Sequence, residues 1–305
     1  MASHTIQDIL GAATEQLRAL PTARRDAELL LTRAMGVDRA WVMTHGDAEL
    51  SAAQREKFNS WVARRAKNEP VQYILGETEF YGLTLRVTPA VLIPRPETEH
   101  VVEAVLRLSE EDRQGSWIRR DQPIRICDVG TGSGAIAIAL AHELPRAEVT
   151  AVDLSHTALA VARRNRERHG VAERVRLVES DLLSAVRGET FDVVVSNPPY
   201  VREDEVLEAQ VREYEPHGAL FAGPTGLEVY RRLIPEAWDA LAPGGWLVLE
   251  MGQGQREALA VLMSPQEASV GRRAGEPGRE WERVSFRDDL QGIARVAMAR
   301  RRAAE

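Results

Sequence analysis

The residues Asn197-Pro198-Pro199-Tyr200 follow directly on a run of apolar, strand-forming residues at 191–196. Proline lacks a backbone N–H, so the strand must end here, at the kind of edge where open α/β sheets bind ligands. The Asn197 side-chain oxygen and the Pro198 carbonyl can each accept one hydrogen from a planar –NH2 group, against which Tyr200 can pack. The tetrapeptide therefore predicts a clamp for methylation of an amide or exocyclic amine nitrogen. A loop that merely ends a strand would carry the same residues.

A glycine-rich turn lies between another expected strand and an apolar helix at residues 135–140. Its glycines permit a tight turn and the close approach of a ligand to bare backbone. Their G-x-G-x-G spacing differs from the G-x-G-x-x-G of dinucleotide folds, and no Walker lysine follows. The predicted cofactor-binding residues of this turn are Gly130, Thr131, Gly132, Ser133 and Gly134.

Acidic residues follow the next two expected strands. Asp153 comes about 20 residues after the glycines, where a carboxylate can accept hydrogen bonds from both hydroxyls of a ribose. Asp181 is positioned to accept a hydrogen bond from an adenine amino group, and Leu182 can pack on the ring. An aspartate after a strand is often only a helix N-cap. Three successive strand ends with matching chemistry, and Asn197 at the fourth, are nevertheless the pattern of S-adenosylmethionine-dependent methyltransferases.

The composition describes a globular protein of one large or two ordinary domains, with 305 residues, 44% hydrophobic and 28% charged. A net charge of −7 argues against stable nucleic-acid binding. No apolar run is long enough to cross a membrane, and no secretory signal is expected. The single cysteine, Cys127, excludes an internal disulfide and a cysteine-based metal cluster. We expect a cytoplasmic protein without a metal.

The first 70 residues predict a small helical bundle that serves substrate recognition. Apolar residues recur at helical spacing in three segments, which we expect to stop at Pro21, at Gly36 and near Lys67. Ser51 is the expected N-cap of the third segment.

A β-hairpin connector is expected over residues 71–92. The β-rich stretches at 69–76 and 78–87 suggest its strands, and Gly76 and Gly82 suggest its turns.

Residues 93–305 predict the catalytic domain. From residue 124 onward strands and helices alternate, which favours a parallel sheet covered on both faces. The predicted fold class is therefore α/β, a Rossmann-like seven-stranded methyltransferase domain with an N-terminal helical bundle joined by a β-hairpin. The expected strands are residues 125–129, 148–153, 175–179, 191–196, 245–250, 281–286 and 293–299. The expected helices are residues 99–108, 155–170 and 227–241, the last ending at Gly244-Gly245, and the expected loops are residues 109–122 and 264–280.

Beyond these motifs, the chain resembles the PrmC/HemK family of protein-(glutamine-N5) methyltransferases over nearly its whole length. The resemblance is carried by the glycine turn, by Asn197–Tyr200, and by residues 23–31, 69–99, 214–220 and 289–296. It implies that S-adenosylmethionine is the methyl donor. It also implies that the acceptor is the glutamine of the Gly-Gly-Gln motif in class I peptide chain release factors.

The family's cofactor contacts carry over to the glycine turn, Asp153 and Asn197, and its substrate clamp to Asn197–Tyr200. One departure is Leu182, which stands where some relatives have an aromatic residue, so stacking on the adenine is weakened.

Two other functions are compatible with parts of the pattern. Methyltransferases that act on the amino group of adenine or guanine in DNA or RNA share Asn-Pro-Pro-Tyr and flip the base to reach it. The negative charge and the extent of the family resemblance count against them. The second is a catalytically silent cofactor-binding or adaptor protein, against which the intact glycines, Asp153 and Asn197 count. A nicotinamide-dependent oxidoreductase fails on the glycine spacing.

Overall fold

The computed structural model describes residues 5–111, 122–264 and 280–303. The expected loops at 109–122 and 264–280 fall almost entirely outside these described residues. The chain divides into two compact units. The first comprises Met1–Glu77 and Leu207–Tyr214, and the second comprises Thr78–Val206 and Glu215–Glu305.

The described helices are α1 (Ile6–Gln16), α2 (Ala23–Met35), α3 (Arg39–Thr44), α4 (Ala52–Arg65), α5 (Val71–Leu75), α6 (Glu99–Glu111), α7 (Ala135–Glu143), α8 (His156–Arg168), α9 (Ala209–Tyr214), α10 (Glu228–Ala240) and α11 (Arg256–Leu262). The described strands are β1 (Glu77–Phe80), β2 (Leu83–Arg86), β3 (Ile124–Val129), β4 (Ala147–Asp153), β5 (Val175–Glu179), β6 (Phe191–Ser196), β7 (Leu241–Glu250), β8 (Trp281–Asp288) and β9 (Ala294–Arg301). None of these helices combines the length and the apolar character that a membrane span requires.

The first unit is a helical bundle with its own apolar core. Leu10 of α1, Leu30 and Leu31 of α2, and Phe58 of α4 are all buried in one cluster. Ser51 caps α4 as expected, because its side chain accepts a hydrogen bond from the backbone N–H of Gln54 while the Gln54 side chain accepts one from the N–H of Ser51. The short helices α3, α9 and α11 were not predicted from the sequence.

The expectation of a β-rich stretch at residues 69–76 is wrong. Residues Val71–Leu75 form the short helix α5, which follows Pro70 and ends where Gly76 adopts a left-handed conformation. The hairpin itself begins one residue before the second stretch, at Glu77, and its strands β1 and β2 pair around Tyr81 and Gly82. Both turn residues have positive φ angles, 49° and 72°, as two-residue hairpin turns of the right twist require.

The second unit contains a seven-stranded sheet in the order β5-β4-β3-β6-β7-β9-β8. The first five strands of this order are parallel, but β9 runs antiparallel to both β7 and β8. The expected all-parallel sheet is therefore corrected to a mixed one. Strand β9 runs antiparallel because its connection to β8 is short. A few residues can join antiparallel neighbours, but they cannot make the crossover that parallel neighbours need.

Alternating residues of the central strands supply two separate apolar layers. Ile126 of β3 and Val193 of β6 pack with helices α6 and α7. Their neighbours Cys127 and Val194 pack with α10 and α11, so both faces of the sheet are covered. Helix α10 ends at Ala240, and not at the expected glycines.

The glycines expected to end α10 lie inside strand β7 instead. A Cβ atom on Gly245 would lie 2.8 Å from the carbonyl oxygen of Asp192 on the neighbouring strand. The register between β6 and β7 also shifts between Phe191 and Val193. The glycine pair therefore serves a close approach of two strands, which is a different use from a helix terminus.

Candidate active site

The carboxyl ends of strands β3 to β6 meet at one edge of the sheet. Val129, the last residue of β3, pairs with Val152 on one side and with Ser196 on the other. Gly130 and Asn197 therefore follow equivalent positions on two adjacent strands, which are separated by about 4.8 Å in a sheet. The Ser196 hydroxyl donates a 2.6 Å hydrogen bond to the Val129 carbonyl and ties the two ends together.

The glycine turn begins immediately after β3. The backbone N–H groups of Gly130 and Thr131 both donate to the Val152 carbonyl at 2.9 Å, which folds the turn against the end of β4. Gly130 and Gly132 have φ angles of +73° and +56°, a region that side chains disfavour. Among the described residues, no atom beyond the glycine itself and its two chain neighbours lies within 4 Å of the position where a Cβ would stand on either glycine, so this part of the turn is open.

Two buried side chains, Asp128 and Asn165, stabilise the turn, and neither was assigned a role from the sequence. Asp128 accepts hydrogen bonds from the Thr131 hydroxyl at 2.7 Å and from the backbone N–H of Ala137 at 3.2 Å. Burial raises the pKa of this carboxyl to about 7, while those two hydrogen bonds oppose the rise. The Asn165 amide donates to the carbonyls of Ser133 and Arg86, and so fastens the turn to β2.

Asp153 stands at the end of β4 beside the turn. One carboxylate oxygen accepts from the backbone N–H of Gly132 and the other from that of Ser155, each at 2.8 Å. Burial raises the pKa of this carboxyl, and the two backbone hydrogen bonds oppose the rise. Each carboxylate oxygen has a second lone pair, so Asp153 keeps the capacity to accept further hydrogen bonds.

Asp181 and Leu182 lie beyond the end of β5. The Asp181 carboxylate forms a 2.6 Å ion pair with Arg232, and the side chains of both partners are half-exposed. Leu182 has a φ angle of +48° and packs on the apolar layer beneath α10. One Asp181 oxygen is thus already engaged by a cation, a feature that sequence spacing did not reveal.

Asn197 is fixed by a residue 99 positions away in the chain. Its side-chain nitrogen donates a 3.0 Å hydrogen bond to the hydroxyl oxygen of Thr98, which is buried in a short 3-10 helix at Pro96–Thr98. This contact uses the amide nitrogen of Asn197 and leaves its oxygen directed elsewhere. The sequence signal for Thr98 was its place in the stretch Arg95-Pro96-Glu97-Thr98-Glu99 that carries the family resemblance.

Tyr200 is held by the end of strand β7. Its hydroxyl donates a 3.1 Å hydrogen bond to the Glu250 carboxylate, and the side chain is partly buried and packs against Gly252. A Cβ on Gly252 would lie 3.0 Å from the Tyr200 ring, so the ring occupies the space that the glycine leaves. Burial raises the pKa of the Tyr200 hydroxyl, and the adjacent Glu250 raises it further.

Glu250 is 1% exposed and was not predicted from the sequence. Burial raises the pKa of its carboxyl to about 7, while the nearby Thr98 hydroxyl and the hydrogen bond from the Tyr200 hydroxyl limit the rise. The segment of chain that leads to Thr98 is held in place by another buried carboxylate. Glu215 accepts hydrogen bonds from the Arg95 guanidinium at 2.5 Å and from the backbone N–H of Ile93 at 3.1 Å.

Two protein-family models match the chain. The PrmC N-terminal domain matches residues 8–76, and the methyltransferase small domain matches residues 117–214. The hMettl16 catalytic domain, solved in complex with MAT2A 3'UTR hairpin 6, is similar in fold. It has a TM-score of 0.52, 15% sequence identity and coverage of 81% of each chain. At this identity the likeness concerns the fold alone.

Curated relatives extend over nearly the whole chain. A release factor glutamine methyltransferase of Koribacter versatilis is 41% identical over 302 residues, which cover 97% of this chain and 99% of the relative. One of Geobacter sulfurreducens is 44% identical over 249 residues, covering 81% of this chain and 83% of the relative. At this identity and coverage, the chain belongs to the release factor glutamine methyltransferase family.

Proposed function

We propose that this enzyme transfers a methyl group from S-adenosylmethionine to the side-chain amide nitrogen of the glutamine in the Gly-Gly-Gln motif of class I peptide chain release factors. The observation that carries the proposal is the position of Asn197, directly after the strand next to the one that leads into an open glycine turn. A relative that matches the chain almost end to end is named a release factor glutamine methyltransferase, which supports the proposal.

The residues at the strand ends fit S-adenosylmethionine. The open, side-chain-free space at Gly130 and Gly132 suits close approach of the cofactor to the backbone. Asp153 retains lone pairs for the ribose hydroxyls. Asp181 would accept the adenine amino group only with the oxygen that Arg232 leaves available, and Leu182 would pack beside the ring. Thr131 and Ser133 complete the turn and are buried, so their side chains support it from within.

The protein residues act mainly by placement. S-adenosylmethionine, when bound, supplies an electrophilic methyl group on a positively charged sulfur. An amide nitrogen is a weak nucleophile because its lone pair is delocalised into the carbonyl, so it must be held about 3 Å from that methyl and in line with the leaving sulfur. In the transfer the glutamine nitrogen would gain the methyl group and release one proton to water, while the sulfur would leave as a neutral thioether.

Asn197 and Pro198 would hold the acceptor. The Asn197 oxygen and the Pro198 carbonyl each accept one N–H of the glutamine amide, so that the nitrogen lone pair faces the methyl group. Both oxygens carry partial negative charge and stabilise the positive charge that develops on nitrogen. Tyr200 and Pro199 would pack against the planar amide and exclude water.

We further propose that the helical unit recognises the release factor, since the predicted site residues belong to the second unit. The match of residues 8–76 to a domain defined in this family supports that role. A cytoplasmic location is proposed because release factors act on ribosomes there and because a single cysteine suits a reducing compartment.

Labelled S-adenosylmethionine tests the proposal. The purified protein is incubated separately with a release factor, with its Gly-Gly-Gln variant in which Gln is changed to Ala, and with DNA or RNA. We expect label on the unaltered release factor alone. Label on nucleic acid alone would replace this proposal with an amino-methyltransferase of adenine or guanine.

A further inference from the structure

A glutamine just beyond strand β7 is hydrogen-bonded to the last residue of the clamp. Gln255 is partly buried, and its side-chain nitrogen donates to the Tyr200 carbonyl at 3.1 Å and to the Gly226 carbonyl at 3.3 Å. Its side-chain oxygen accepts a hydrogen bond from the backbone N–H of Gly252 at 3.0 Å. Both hydrogens of the carboxamide are therefore used, and one side chain joins three separate segments of the second unit.

The direction of this carboxamide is fixed by its partners. All three are backbone groups, namely two carbonyls, which can only accept, and one N–H, which can only donate. The nitrogen of Gln255 must therefore face the carbonyls of Tyr200 and Gly226, and its oxygen must face Gly252. A carboxamide turned by 180° would place its oxygen against two carbonyl oxygens.

Two glycines bring the backbone close to Gln255 and Tyr200. A Cβ atom on Gly226 would lie 2.5 Å from the Tyr200 carbonyl oxygen and 3.1 Å from the Gln255 side-chain nitrogen. A Cβ on Gly252 would lie 2.9 Å from the Gln255 side-chain oxygen and 3.0 Å from the Tyr200 ring. A residue with a side chain at either position would push these groups apart, so the arrangement depends on both glycines.

We propose that Gln255 is a positioning residue that holds Tyr200, and with it the Asn-Pro-Pro-Tyr clamp, in place for methyl transfer. This role rests on the proposed function, in which Tyr200 packs against the acceptor amide. The contacts with Gly252 and Glu250 fix the ring and the hydroxyl of Tyr200. Gln255 fixes its backbone, which also limits where Pro198, two residues earlier, presents its carbonyl.

The same substitution at two glutamines of one turn tests the proposal. Gln255→Met removes the hydrogen bonds and keeps the length of the side chain, whereas Gln253→Met makes the same change at an exposed position. We expect Gln255→Met to lower kcat on a release factor by about tenfold or more and Gln253→Met to stay within about twofold of wild type, because only the first displaces the clamp. The calorimetric Kd for S-adenosylmethionine should stay unchanged in both, since Val152 and Asp153 hold the glycine turn separately.

Displacing the Tyr200 carbonyl from another side is a second test. Gly226→Ala would place a Cβ atom 2.5 Å from that oxygen, so the carbonyl must move away. We expect kcat to fall by about tenfold or more, as in Gln255→Met. Gly188→Ala is the control, because its φ of +87° imposes similar backbone strain before the opposite end of β6. It should leave kcat within about twofold of wild type, since the clamp keeps its position.

A third readout does not depend on turnover. The chain has five tyrosines, so fluorotyrosine labelling gives a simple fluorine NMR spectrum, in which the Tyr200 signal is assigned through its absence in Tyr200→Phe. That signal should shift by more than its linewidth in Gln255→Met and keep its position in Gln253→Met. If Gln255→Met does not fold, Gln255→Asn replaces it, since it keeps the carboxamide but withdraws it by one methylene group.

Equal turnover of Gln255→Met and Gln253→Met, or a Tyr200 signal that keeps its position in Gln255→Met, would overturn the positioning role. Wild-type turnover in Gly226→Ala would overturn it as well. A wild-type enzyme that labels no release factor would instead refute the proposed function. In that case the Tyr200 signal alone decides whether Gln255 positions the clamp.

Discussion

The two halves of the candidate site are built in different ways. The glycine turn is assembled from a short stretch of chain, with its backbone N–H groups bonded to Val152 and Asp153 at the next strand end. The Asn197 clamp depends on side chains that lie 99 and 50 positions from their partners in the sequence. A turn made of backbone tolerates few changes of shape, whereas a clamp made of side chains depends on hydrogen-bond direction.

This difference predicts separable effects of substitution. Changes in the turn should weaken cofactor binding or the stability of the fold. Changes in the clamp should lower turnover while cofactor binding persists. The following variants test that separation, beginning with the largest expected effect.

Asn197→Ala should lower kcat by about a hundredfold or more while retaining affinity for S-adenosylmethionine. The reason is the loss of a fixed dipole directed at the developing charge, an effect of the same kind as removing an oxyanion donor. Steady-state kinetics on a release factor and calorimetry with the cofactor measure the two quantities. Near-wild-type turnover would contradict the clamp, and a parallel loss of cofactor affinity would contradict its separation from the turn.

Asp153→Ala should weaken cofactor binding by about ten- to hundredfold, because hydrogen bonds to a charged group contribute about 1.5–3 kcal/mol. The matched comparison is Asp181→Ala, which removes a half-exposed carboxylate already paired with Arg232. We expect the smaller loss of affinity from that variant. Calorimetry that shows unchanged affinity in Asp153→Ala would refute the proposed ribose contact.

Gly134→Ala should destabilise the fold by about 2–4 kcal/mol. Its φ of +84° strains a side chain by about 1–2 kcal/mol, and the added Cβ would lie 2.9 Å from Ile138 and 3.3 Å from the Cβ of Ala162. Gly170→Ala is the control, since Gly170 has a φ of +66° but open space around it. Equal free energies of unfolding for the two variants, measured with denaturant, would contradict the packing argument.

Glu250→Gln should change how stability depends on pH. The raised pKa of Glu250 means that the folded state holds a proton between its ordinary value of 4.5 and about 7, where the unfolded state has released it. Stability from this group is therefore present at low pH and falls as the pH rises through that window, by about 2 kcal/mol from about pH 5 to about pH 8.

Denaturant unfolding at several pH values, compared between wild type and Glu250→Gln, isolates this contribution from that of Asp128. The variant should lose less stability than wild type as the pH rises. Identical pH dependence would show that Glu250 is not the buried acid described above.

Much of the fold could be predicted from the sequence because its signals are local. The strand expected at residues 191–196 has those bounds in the structure, since proline ends it and apolar residues fill it. The antiparallel placement of β9 could not be predicted from alternation alone, because pairing depends on the length of a connection. Residues 69–76 were misjudged because their β-forming side chains sit between a proline and a glycine, which suit a single helical turn.

The candidate site also combines local signals, which the sequence shows, with contacts that only the folded chain shows. Glycines and strand-end aspartates can be recognised from their spacing in the sequence. The turn and Asp153 could therefore be proposed from the sequence alone. Thr98 and Glu250 carry no spacing relation to Asn197 and Tyr200, and only folding brings each of them to its partner. The ion pair of Asp181 with Arg232 joins residues 51 positions apart and was equally hidden.

Mass spectrometry of a release factor after incubation with the wild-type enzyme and S-adenosylmethionine tests the central claim most directly. The account predicts one added methyl group on the glutamine of the Gly-Gly-Gln motif and at least about a hundredfold slower addition with Asn197→Ala. Methylation at any other residue, or an equal rate with the alanine variant, would contradict it.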